Sequence, residues 1–226
     1  MAPLRRALLC AATVALGCGE IGAPVRYECT DAAAPSDRCA YDFRHPDGFV
    51  FRWLDDRQPV RIWVEPLGNL PRLVEEGATR WSSSLLYDEL RTVFVTDSSQ
   101  ADIIVIGLTD RVGAPNGPAC AGFSEAAFLL AGDTVIAGDT IGPLTLLGPI
   151  TTFVWGYIGE SGEAVRDCLE IVVPHELGHG LGLLAHSSDS DDLMAPNPRF
   201  GRLSERDRVT FEMLYHTPPS IKPPRR

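Results

Sequence analysis

HELGHGLGLLAHSSDSDDLM, residues 175–194, gathers three of the chain's five histidines and one of its three methionines into one short run. His175 and His179 are four positions apart, so on a helix they lie on one face, about one turn from each other. Their imidazoles can then converge on a single ion. Glu176 sits beside the first of them, turned from that ion yet near enough to act on a water bound there. Zinc is the metal this HExxH spacing suits, with the glutamate as general base. A hydrolytic zinc keeps three protein ligands and leaves a fourth position open. For the third position His186 offers an imidazole, while Asp189, Asp191 and Glu205 offer carboxylates. Gly182 falls where the helix should end, in a turn with φ > 0 that a residue without Cβ adopts readily.

The motif and its sequel resemble the metzincin zinc metallopeptidases, in their matrixin (matrix metalloproteinase-like) branch, as a bacterial member. That family's pattern is HExxHxxGxxH followed by serine and a methionine-containing turn. His175, Glu176, His179 and Gly182 match it; Ser187 takes the serine's place and Met194 the turn's, with Leu193 and Pro196 in step. The chain departs at one point. Leu183, Leu184 and Ala185 stand between Gly182 and the next histidine, where the family has two residues. In strict register the third ligand would be Ala185, which cannot bind zinc. A one-residue bulge that re-aims His186 and leaves the turn in place is the expected solution; the alternative is a site without this ligand.

The resemblance implies an α/β (α+β) zincin catalytic domain with a mixed, twisted sheet, an active-site helix and a C-terminal helix. It implies a zinc-dependent endopeptidase with His175, His179 and His186 as metal ligands for Zn2+, Glu176 as the catalytic base, and a protein or peptide substrate. Met194 would form an apolar floor beneath the ligands, and Pro196 to Phe200 the wall of an S1′ pocket. A strand near Thr134 to Ala137 would pair with the extended substrate by adding it to a sheet edge. A reading from another class is an exported surface protein that binds through a retained zinc site and cleaves nothing. Glu176 argues for the enzyme, because a structural site has no use for a base beside its first ligand. The run Ser187 to Asp192 reads as a solvated loop whose carboxylates and carbonyls would also suit a structural calcium (Ca2+), although no EF-hand spacing is present.

Further out, the 226 residues suffice for one domain with a substantial core. Hydrophobic content of 45% with 22% charged residues is that of an ordinary globular protein. A formal charge of −10 argues against nucleic acid as a partner, since phosphates would be repelled over most of the surface. A monomer is expected. Residues 1–17 read as a signal peptide, with Arg5 and Arg6 ahead of a short apolar run. Ala15-Leu16-Gly17-Cys18 is similar to a bacterial lipobox, which would put a lipid on Cys18 and the protein at the cell surface or outer membrane. A plain secretory signal is the alternative. Residues 18–48 read as a tether or short pro-segment, 49–217 as the catalytic domain and 218–226 as a tail. Cys29, Cys39, Cys120 and Cys168 remain for an oxidising compartment, and four cysteines allow three pairings. Cys29–Cys39 and Cys120–Cys168 are favoured, the former over a matrixin-like cysteine switch at Arg38-Cys39-Ala40.

Within the domain, Pro59 to Pro66 alternates like a strand, and Asn69 with Pro71 starts a helix through about Ser84. Its Leu70, Leu73, Val74, Ala78 and Trp81 share a face. Thr92 to Thr96 and Asp102 to Gly107 read as strands, the second buried on both faces. A Gly/Pro-rich loop is expected from Gly107 to Phe123. Ile141 to Gly159 carries no charge; its two prolines and four glycines favour an irregular apolar loop over a transmembrane span. Pro174 either begins the metal helix or kinks a longer one from Ala164. Ser204 and Asp207 cap a last helix over Leu203 to Tyr215. His45 and His216 read as surface or packing histidines.

Overall fold

Apolar side chains at every second position of VRIWV put Val60 and Ile62 on one side of a strand, where both are fully enclosed. This stretch is β1 (Val60–Val64) in the computed structural model, which describes residues 40–46, 48–108, 120–125, 128–130, 144–156 and 162–222. Helix α1 (Leu70–Ser82) follows, with Pro71 in its first turn, where a missing N–H costs nothing. Its buried face is Leu70, Leu73, Val74, Gly77, Ala78 and Trp81, the expected stripe. The chain returns through β2 (Thr92–Phe94), parallel to β1, then β3 (Ile103–Leu108), parallel to β1 on its other side. Ile103 and Val105 are sealed but Ile104 and Ile106 are only half-buried, so β3 is closed on one face rather than both.

Two segments expected to be loops are strands. Cys120–Glu125 is β4, and the uncharged run contributes β6 (Leu144–Leu146) and β7 (Ile150–Gly156). The missing charge has a physical cause: β7 lies inside the sheet, between β3 and β4, where a charged residue would be desolvated. Among the described residues the five-stranded order is β2-β1-β3-β7-β4, parallel except for β4, which runs antiparallel to β7 and forms the edge. A small second sheet joins β5 (Phe128–Leu130), β6 and β8 (Ile221–Lys222). Ile221 is buried there, so the presumed tail begins by completing a sheet. The strand expected at Thr134 to Ala137, the signal segment, Cys18 and Cys29–Cys39 lie outside the described residues.

Helix α2 (Gly162–Gly180) crosses the sheet with Pro174 inside it, the longer of the two helices considered. Its first half is exposed or half-buried and the run from Val173 to Gly178 is buried, so the histidine-bearing end enters the core. Trp81 of α1 donates its indole N–H to the Pro174 carbonyl at 2.7 Å, locking the two helices. Cys120 of β4 and Cys168 of α2 form a disulfide, one of the pairs favoured from sequence. Helix α3 (Glu205–His216) begins with Ser204 and Asp207 in a reciprocal capping box and buries Thr210, Phe211, Leu214 and Tyr215. No helix among the described residues is long and apolar enough to cross a membrane.

Candidate metal centre

The end of α2 is built to stop abruptly. Gly182 has φ +119, and a Cβ there would run into the Phe51 carbonyl, so glycine alone fits. The carbonyls left over at the helix terminus find donors: Trp53 Nε1 reaches Gly180 O at 3.0 Å and Tyr215 Oη reaches Leu181 O at 3.3 Å. The inserted stretch then turns back. Leu183 N donates to Gly178 O (3.0 Å) and Leu184 N to Phe43 O (2.9 Å), so the extra residue leaves neither of these amides unpaired. Phe43 belongs to a segment read from sequence as tether. It is buried, and Tyr41 beside it bonds α3 through its hydroxyl, to Asp207, and its amide, to Thr210.

The bulge brings His186 back to the other two histidines. Ring centroids are 4.9 Å apart for His175–His179 and His179–His186, and 5.3 Å for His175–His186. One ligand nitrogen of each lies within 4.8 Å of the others, and the Nε2 atoms of His179 and His186 are 3.2 Å apart. Tetrahedral zinc with Zn–N near 2.0–2.1 Å spaces its nitrogens by about 3.4 Å. The donor set therefore suits zinc. Nδ1 of His175 donates to Leu193 O (2.7 Å) and Nδ1 of His179 to Leu183 O (2.6 Å), which leaves each Nε2 as a lone-pair ligand of fixed orientation. Burial pushes the pKa of His175 down to about 4 and of His179 to about 3, and lowers that of His186. All three are neutral at pH 7, as metal ligation requires.

The carboxylates considered for the third position are engaged elsewhere. Asp191 pairs with Arg199 (3.0 Å) and Asp189 with Arg206 (3.5 Å), while Glu205 opens α3. Asp192 is held by Ser187, Ser204 and Arg206. These acids are taken up by hydroxyls and guanidinium groups, and the one metal-ligating cluster among the described residues is that of the three histidines. His45, read from sequence as a surface or packing residue, lines the cleft; His216 bonds Glu89 at 3.1 Å.

Asp207 does more than cap a helix. Fully buried, it accepts from Leu193 N (2.7 Å), Met194 N (3.3 Å), Ser204 N (2.8 Å) and Tyr41 Oη (2.7 Å). It thereby pins the methionine turn, which Ser187 N closes on Met194 O at 2.9 Å. Met194 is wholly enclosed, as a floor should be.

Glu176 points to the sheet edge. Ser124 Oγ lies 3.1 Å from its Oε2, and Gly122 leaves the space in which its Cγ sits. Burial raises its pKa to about 7, with the Ser124 bond opposing. Glu176, His179 and His186 face a cleft of about 770 Å3 walled by Gly122 to Glu125, Pro149 to Thr151, Leu184 and His45. The expected S1′ wall, Pro196 to Phe200, does not line this cleft: Phe200 lines a separate cavity with Arg80 and Glu170, where Gly201 packs on the Glu170 carbonyl. Ser124, Gly122 and Phe43 lie far from the motif in sequence and carried no signal of their role.

The matrixin peptidase family model matches residues 121–216, from the edge strand through the histidines and the methionine turn to the end of α3. No curated protein matches the sequence. The family match over these residues and the convergence of the three histidines both support a likeness to the matrixin metzincins.

Proposed function

We propose that the protein is a zinc-dependent endopeptidase in which His175, His179 and His186 hold the metal and Glu176 is the general base. The observation that carries this reading is the convergence of three imidazoles within 4.8 Å of one another, with the buried Glu176 carboxyl opening on the same cleft as His179 and His186. Zinc, when bound there, supplies a Lewis acid and makes water acidic near pH 7. Glu176 takes the proton of the attacking water and returns a proton to the leaving amine. The Nδ1 bonds of His175 and His179 keep both rings in place through the cycle. Among the described residues strand β4 is the last of the sheet and flanks the cleft, so an extended peptide can add to its outer edge.

Digestion of casein by wild type, Glu176→Ala and chelator-treated protein tests this. Cleavage abolished by both changes is expected. Cleavage indifferent to both would end the assignment, and tight zinc binding without cleavage would favour the binding-protein reading. Export belongs to the same proposal, with lipid on Cys18 anchoring the protein; Cys18→Ser should release it into the medium, and an unchanged membrane fraction would contradict the anchor.

A further inference from the structure

The edge strand and the active-site helix meet in register. Residues 120, 122 and 124 point to one side of β4, and each faces α2: Cys120 bonds Cys168, Gly122 abuts Val172 and Glu176, and Ser124 meets Glu176. Four residues of strand advance about 13 Å. Eight residues of helix, from 168 to 176, advance about 12 Å. The two repeats therefore stay in step from the disulfide to the glutamate. Gly122 permits the close approach between them, since a Cβ there would lie 2.6 Å from Glu176 Cγ and 2.8 Å from Val172 Cγ1.

At the far end Ser124 Oγ is 3.1 Å from Glu176 Oε2, 3.1 Å from the Glu176 carbonyl and 3.0 Å from Thr152 Oγ1. A serine hydroxyl has one proton to give and can accept two. Thr152 is fully enclosed in β7. Donation from Thr152 to Ser124, and from Ser124 to Glu176, gives each hydroxyl proton an acceptor and ends the chain on the carboxylate. The family pattern specifies neither hydroxyl.

We propose that Ser124 is a positioning residue for the hydrolytic reaction: backed by Thr152, it holds the Glu176 carboxylate at the cleft, and the Cys120–Cys168 disulfide sets the strand register that brings it there. This inference rests on the peptidase reading above. Outer hydrogen-bond partners of a metal site are typically worth about 10- to 100-fold in activity. On labelled casein, Ser124→Ala should lose about that much kcat with KM, zinc content and melting temperature close to wild type, and Ser124→Thr should recover most of the loss. Wild-type kcat in Ser124→Ala, or a Ser124→Thr as impaired as the alanine variant, would overturn the proposal. In a Cys120→Ser, Cys168→Ser background, Ser124→Ala should cost much less than in wild type; full additivity would remove the disulfide from the account. If wild type shows no Glu176-dependent cleavage, the peptidase reading fails by itself. Crystals of zinc-loaded wild type and Ser124→Ala then decide the positioning claim: the carboxylate should move by about 1 Å, a displacement large enough to cost catalysis, and an unmoved carboxylate would refute it.

Discussion

Replacing Asp207 by alanine should unfasten the methionine turn and weaken the metal site from a distance. The carboxylate accepts four hydrogen bonds, and two of its donors, the amides of Leu193 and Met194, lie in buried backbone. A buried donor left without an acceptor costs about 1–3 kcal/mol. Ser204 N and Tyr41 Oη are only partly buried and can recruit water, so they add about 1 kcal/mol as a lost cap. The sum is about 3–7 kcal/mol. For a domain of this size each kcal/mol lowers Tm by about 2–4 °C, which places the expected fall at roughly 6–28 °C. Leu193 contributes a second link, because its carbonyl orients His175 through the 2.7 Å bond to Nδ1. Zinc affinity should therefore drop about 10- to 100-fold. Thermal melts with and without zinc, together with competition against a chromophoric chelator, measure both effects. Asp207→Ala with wild-type Tm and wild-type zinc affinity would show that the turn is held by something other than this carboxylate.

Gly182→Ala should cost about 2–4 kcal/mol or prevent folding, since φ +119 is closed to alanine and its Cβ would meet the Phe51 carbonyl; urea midpoints at wild-type level would contradict this. Trp81→Phe should cost about 2 kcal/mol, through lost packing and the lost indole hydrogen bond to the Pro174 carbonyl, without abolishing zinc binding; a neutral substitution would mean the helices are locked elsewhere. In the metal-free protein, His175 and His179 titrate near 4 and 3, below the unfolded value of about 6.5. The unfolded chain binds these two protons first, so the histidines' contribution is complete above about pH 6.5 and is lost as pH falls from there toward 3; Glu176, raised to about 7, acts in the opposite sense with one proton against two. Urea midpoints of chelator-treated protein should decline across that window, and a flat profile would mean that the imidazoles are hydrated.

Much of the site was legible because its parts are neighbours in the chain. His175, Glu176 and His179 share one helix, and Gly182 announces where that helix must end. The capping box at Ser204 and Asp207 was equally local, whereas the second task of Asp207 required the methionine turn to fold onto it. Helix α1 showed its stripe of Leu70 to Trp81 because one face only is buried. Strand β7 was missed for the opposite reason: a segment enclosed within the sheet has no polar alternation to display, and Pro149 and Gly156 at its ends look like loop residues. Strand β4 was missed because the helix behind it demands small residues such as Gly122 and Ser124, which weaken a strand's own signature. Tyr41 and Phe43 looked like tether because the partners that bury them, Asp207 and Leu184, lie more than a hundred residues away.

The account stands on the claim that the inserted residue is absorbed and His186 completes the site. Zinc retention after exhaustive dialysis, compared between wild type and His186→Ala, tests it most directly. Stoichiometric zinc in wild type and loss of the metal from the variant is the predicted result. A His186→Ala protein that keeps its zinc as tightly as wild type would contradict it.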